Sequence, residues 1–209
     1  MNKTLIIYLL FALIPCTVSA QKNVKLFDGI SFTGWKVSDP THKYLWGIKE
    51  GMIIGGDSLK NVPVNSYLCT DQEFENFEFR CLFKMGGDTT GFVNSGIQYR
   101  SKLANNDIIG YQADIGNGYW GDIYDEHRRG KIVSGSLSVA NKLLNPWGWN
   151  SYIIRCIGNR HETYINGVKV ADYLEKDTSV PNKGIIGIQI HSGGKALIYV
   201  KDVEIEILP

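Results

Sequence analysis

Large apolar side chains recur at every second residue through much of this chain, and that period constrains the fold more than any other feature. Phe77, Phe79, Cys81, Phe83 and Met85 alternate with Glu78, Arg80 and Lys84. Alternate residues of an extended strand share a face, so this run puts five apolar groups on one side and charge on the other. An amphipathic helix needs spacings of three and four, which are nearly missing. Trp149 to Ile157, Glu162 to Ile165 and Ala196 to Ile207 read as further strands. Asn166-Gly167 forms a two-residue turn into Val168-Lys169-Val170, since both residues tolerate positive φ. Lys49-Glu50-Gly51 closes an earlier hairpin between Trp46-Gly47-Ile48 and Met52-Ile53-Ile54. Roughly a dozen strands at this spacing predict an all-β jelly-roll sandwich of two antiparallel sheets.

The first residues do not belong to that pattern. Lys3, the apolar run Leu5 to Ile14 and the small residues Val18-Ser19-Ala20 read as a secretory signal peptide over residues 1–20. Residues 21–209 are then one domain, exported to the periplasm or the exterior. Leu13-Ile14-Pro15-Cys16 offers a lipoprotein reading, which Pro15 weakens because a small Gly or Ala belongs there. No later segment is apolar enough to span a bilayer, which takes roughly 20 residues. Charge is balanced, with 22 basic and 21 acidic side chains, so nothing favours nucleic acid as a partner. Cys69, Cys81 and Cys156 each sit in an apolar strand and read as buried thiols rather than a disulfide framework.

Chemistry must come from polar groups on strand faces turned away from the core. In Gly184 to His191 the face opposite Ile186, Ile188 and Ile190 carries Gly187, Gln189 and His191. Gly96, Gln98 and Arg100 share a face in Ser95 to Arg100. Gly110, Gln112 and Asp114 share one in Gly110 to Ile115. A glycine followed by two polar residues thus occurs three times. If these strands are neighbours, they form a polar floor with room above it. Amides, a guanidinium and a carboxylate match sugar hydroxyls, which both donate and accept. Solvated strand faces favour Lys, Glu and Thr over Gly and Gln.

A second cluster packs Tyr119, Trp120, Asp122, Tyr124, Asp125, Glu126, His127, Arg128 and Arg129 into the segment Gly118 to Arg129. Read as a loop, it offers Trp120 and Tyr124 for stacking on sugar faces. Its carboxylates lie near arginines and can serve as acid or base.

Several motifs in order resemble one bacterial family. They are Leu26-Phe27-Asp28-Gly29, Gly34-Trp35, Trp46-Gly47-Ile48, Asn94 to Arg100, Gly110 to Ile115, Trp149-Asn150, Ile165-Asn166-Gly167 and Gly187 to His191. Together they resemble the 3-keto-disaccharide hydrolase family, also described as 3-keto-glucoside 1,2-lyase/hydratase. The resemblance spans about residues 24 to 207. It implies a concanavalin-like jelly roll and a carbohydrate-active enzyme cleaving 3-keto-glucosides, by hydrolysis or by elimination and hydration. A ketone at C3 acidifies the C2 proton, so the enzyme must supply a base, a stabiliser for the enolate and an acid for the leaving group. The implied base is Asp114 and the implied acid Glu126. Arg100, Arg128 and His191 are the implied stabilisers. Gln98, Arg100, Gln112, Trp120, Tyr124, Arg128 and Gln189 would bind the sugar. A divalent cation held by Asp114, Glu126 or His191 could replace the arginines. The rival class is a non-catalytic carbohydrate-binding module of lectin-like fold, which has little use for clustered Asp, Glu, Arg and His.

Overall fold

A computed structural model describes residues 23–88 and 90–209. The expected signal peptide, Cys16 included, lies outside the described residues.

Fifteen strands are present among them. The first six are β1 (Asn23–Lys25), β2 (Trp35–Val37), β3 (Trp46–Lys49), β4 (Met52–Gly56), β5 (Ser66–Phe74) and β6 (Phe77–Gly87). Next come β7 (Asn94–Ala104), β8 (Asp107–Gly116), β9 (Ile123–Glu126) and β10 (Gly130–Val133). A short helix, α1 (Leu137–Leu143), precedes β11 (Asn150–Ile157), β12 (Arg160–Ile165), β13 (Val168–Leu174), β14 (Gly184–Ile190) and β15 (Ala196–Ile207). One sheet runs β13-β12-β11-β6-β15-β4-β3, with β1 also pairing to β15. The other runs β10-β9-β8-β7-β14-β5-β2. All pairings are antiparallel, as expected for a jelly roll.

The core lies where the alternation puts it. Phe77, Phe79 and Phe83 face inward from β6, and Ile186, Ile188 and Ile190 face inward from β14. All six are fully buried in one cluster. β6 sits between β11 and β15, so Phe79 is flanked by Ile154 and Ile205. The hairpin turns are as expected. Asn166 and Gly167 take φ of 49° and 79°, and Glu50 and Gly51 take 53° and 74°. Cys69, Cys81 and Cys156 are free and buried. Burial pushes the Cys69 and Cys156 thiols up to about 12.

Among the register shifts in the ladders, the one in β7 bears on the site. Tyr99 pairs with Tyr111, but the next pairing is Lys102 with Ile109, so Arg100 and Ser101 together oppose Gly110. This is a β-bulge, with Arg100 at φ 46° and Gly110 at φ 146°. A Cβ on Gly110 would lie 2.6 Å from the Ser101 Cα, so only glycine admits the bulge in this form. The extra residue turns Arg100 off the face that Gln98 occupies. Arg100 is buried instead. Its guanidinium donates to the Glu75 carbonyl at 3.0 and 2.6 Å and to the Gly158 carbonyl at 2.7 Å. The expected sugar-binding arginine is thus a clasp between two turns. Beyond the bulge, Leu103 and Ile108 pack with Tyr67, Cys69 and Ile185 as a second, smaller apolar cluster.

Candidate functional site

The glycine-marked strands are neighbours. β7 lies between β8 and β14, and register aligns their polar faces. Gly187 pairs with Gln98, which pairs with Gln112, which pairs with Tyr124. Gln189 pairs with Gly96, which pairs with Asp114. The outer face of this sheet therefore carries a contiguous polar floor.

A hydrogen-bonded chain crosses that floor. Ser101 Oγ donates to Gln98 Oε1 at 3.1 Å, Gln98 Nε2 to Gln112 Oε1 at 2.6 Å, and Gln112 Nε2 to Asp114 Oδ1 at 2.5 Å. When Asp114 is ionised its carboxylate only accepts, and the chain that ends on it then orients both amides. Gly96 makes room for it, since a Cβ there would lie 2.6 Å from the Gln112 Cδ.

Above this chain lies a cavity of about 210 Å³. Asp114, Glu126 and His191 all line it, as do Gln112 and Tyr124. Glu126 does not reach it from a loop. It stands on β9 opposite Gly110, on the same face as Tyr124, because residues 123–126 form a strand. Phe92, Asn94, Tyr119 and Lys131 complete the lining. Asn94 continues the period-2 face of Gly96 and Gln98, so alternation could have found it. Lys131 comes from the edge strand β10, paired to Tyr124, and no local pattern marks it.

The site is electrostatically unusual. Burial pushes the Asp114 carboxyl up to about 7, against the opposing hydrogen bond from Gln112. The charges of Asp122 and Glu126 add to the rise, and Lys131 reduces it. Burial also raises Glu126, while His127 pulls it back. Lys131 Nζ is held 2.6 Å from Asp122 Oδ2, leaving a cation at the cavity wall. His191 Nδ1 lies 2.8 Å from the Ser192 carbonyl. A carbonyl only accepts, so Nδ1 carries the hydrogen and the other ring nitrogen, Nε2, is left for chemistry. Among the described residues no three His, Cys, Asp or Glu side chains form a metal-ligand group. Asp114, Glu126 and His191 share a cavity without making such a set.

The remaining expected residues lie elsewhere. Gln98 and Gln189 are fully buried and support the floor from outside the cavity lining, with Gln189 Nε2 3.3 Å from the Tyr67 hydroxyl. Trp120 is buried and stacked on Phe83 at 6.4 Å between ring centres, outside the carboxylate cavity but on the wall of a neighbouring hollow. The exposed aromatic of that turn is Tyr119, because residues 117–121 form a turn in which strand parity does not apply. Arg128 is drawn to Asp125, with Nε at 2.9 and 2.8 Å from its two oxygens and Nη2 at 2.7 Å. Asp125 faces inward beside Tyr111, so the exposed Arg128 and Arg129 both reach down to that buried carboxylate, and Arg129 also to Glu175, rather than to the cavity wall.

Solved structures share this architecture. A Parabacteroides distasonis protein provisionally named a glycosyl hydrolase superposes with a TM-score of 0.65 at 19% identity, covering 90% of this chain and 94% of its own. The carbohydrate-binding module CBM66 of Bacillus subtilis gives 0.61 at 14% identity, covering 83% and 95%. The carbohydrate recognition domain of Emp47p gives 0.55 at 13% identity, covering 90% and 96%. At these identities the likeness establishes a common jelly-roll fold. No curated protein matches the chain closely enough to count as a relative. The family model for the 3-keto-alpha-glucoside-1,2-lyase-like domain matches residues 22–206, nearly the whole chain. The chain belongs to the 3-keto-alpha-glucoside-1,2-lyase-like family.

Proposed function

We propose that the protein is an exported, carbohydrate-active enzyme that cleaves 3-keto-glucosides by elimination across C1–C2 followed by hydration. The observation that carries this reading is the pair of raised carboxyls in one cavity. Asp114 is held near 7, poised to act as a base near neutral pH, and Glu126 is raised toward the protonated form that an acid needs. Family membership supports the substrate class.

The residues perform the reaction as follows. Asp114 removes the C2 proton, whose electrons pass into the C3 carbonyl as an enolate. Lys131 and Asn94 are the groups along the wall with hydrogens to donate to the new negative charge, whereas His191 Nε2, with the ring hydrogen on Nδ1, can only accept. The enolate re-forms the ketone, makes the C1–C2 double bond and expels the aglycone oxygen, which takes its proton from Glu126. Water then adds to C1, losing its proton to Glu126, and Asp114 returns a proton to C2. Both carboxyls end as they began. The floor amides hold Asp114 in place. The lysine and asparagine take the role that sequence reasoning assigned to Arg100 and Arg128.

The test is incubation with a 3-keto glucoside and the matching ordinary glucoside side by side. Aglycone should be released from the 3-keto compound at least about a hundredfold faster, because only the ketone acidifies C2. Equal release from both would replace elimination with ordinary glycoside hydrolysis. Binding of either sugar without release would favour the binding-module reading that the fold shared with CBM66 supports.

A further inference from the structure

A second cavity opens beside the first. Its volume is about 690 Å³, against about 210 Å³ for the carboxylate cavity. Phe92, Asn94 and Tyr119 line both, so the two spaces adjoin. The larger one falls in the range of about 300–1,000 Å³ typical of small-molecule sites. Its chemistry differs sharply from its neighbour's. Among the described residues no ionisable Asp, Glu, His, Lys or Arg side chain lines it. Its walls are aromatic and aliphatic, with Trp120, Trp147 and Leu144 joining the shared rings, and its polar groups are neutral: the amides of Asn94, Asn117 and Asn141, the Tyr119 hydroxyl and the indole N–H groups. Phe92, Tyr119 and Trp147 are 43%, 40% and 45% exposed, although large rings are normally buried. Three accessible rings around one neutral hollow need a ligand to cover them.

We propose that this cavity is the leaving-group subsite, and that it takes an aryl aglycone. The proposal rests on the reading that the carboxylate cavity holds the keto sugar. C1 of that sugar must point its substituent out of the small cavity, and the shared wall of Phe92 and Tyr119 leads into the large one. A planar ring stacks on aromatic side chains without needing charged partners. A second sugar could use the amides of Asn94, Asn117 and Asn141, so the three accessible rings are what favour the aryl group, and the glucosyl substrate below is the arm that separates the two.

The experiment compares phenyl, methyl and glucosyl 3-keto-glucosides of one anomeric form with wild type and Trp147→Ala. Trp147 is nearly half exposed in a loop, so the variant should fold. The quantity read is the kcat/KM preference for phenyl over methyl, compared between the two proteins so that leaving-group reactivity cancels. It should fall about tenfold in the variant, the worth of one good aromatic stack. An unchanged ratio overturns the proposal. So does a Trp147→Ala loss confined to the glucosyl substrate, which would make the subsite a sugar site. Should no 3-keto substrate be turned over, the enzyme reading fails on its own. Calorimetric binding of ordinary phenyl and methyl glucosides then decides the subsite. Tighter binding of phenyl, lost in Trp147→Ala, supports it, and equal affinities overturn it.

Discussion

Asp114→Asn should lower turnover of a 3-keto glucoside by roughly two to four orders of magnitude while sugar binding survives. The substitution keeps the shape of the side chain, and its amide oxygen can still accept from Gln112 Nε2. What it removes is basicity. The same change should make the protein more stable at alkaline pH, and the sign follows from the direction of the shift. In the unfolded chain an Asp ionises at its ordinary value near 3.8, whereas burial holds the folded carboxyl to about 7. Between those values the folded protein keeps a proton that the unfolded chain has lost. Wild-type stability contributed by this group therefore falls as pH rises from 4 through 7, and its cost is fully present above 7. Asn carries no such cost. Thermal unfolding of both proteins at pH 5 and pH 8 should show the variant gaining on wild type at the higher pH. A variant that loses stability at pH 8 while its folded fraction turns over normally would make Asp114 a structural residue.

Phe79→Ala should cost about 3–5 kcal/mol of folding free energy, the usual penalty for truncating a buried phenylalanine. Phe79 is fully buried on the central strand β6, with Ile154 on one side and Ile205 on the other. Both neighbours are held by their own ladders, so the walls cannot easily close on the hole. A reversible denaturant titration measures the effect. A loss below about 1 kcal/mol would mean that the core relaxes far more than this packing allows.

The core was legible because alternation is uninterrupted there. Parity on β6 and β14 places every Phe and Ile correctly, and on β8 it places Gln112 and Asp114 on the outer face. Where parity fails, sequence reasoning fails with it. One extra residue at Arg100 sends that side chain to the other side, and nothing in the local sequence announces it. The signal lies on the partner strand, in Gly110, whose positive φ and lack of a Cβ admit the bulge. Trp120 and Arg128 lie in turns, where the period carries no information. Trp120 turns into the core, and Arg128 goes to the nearest buried carboxylate, Asp125. Lys131 entered the site through an edge pairing several residues away, and Phe92 and Trp147 through loops. Such contributions depend on how loops close over a sheet, which a strand pattern does not encode.

The fate of the C2 hydrogen tests the central claim most directly. A 3-keto glucoside is incubated with enzyme in D₂O, and the released 3-keto sugar is read by NMR at early times, with an enzyme-free control for spontaneous exchange. Elimination and hydration through Asp114 predict product carrying deuterium at C2 from the first turnover, and none formed at a comparable rate by Asp114→Asn. Product that keeps its original hydrogen at C2, together with an unchanged rate of aglycone release from substrate deuterated at C2, would contradict the account, because the C1–O bond would then break without proton removal at C2.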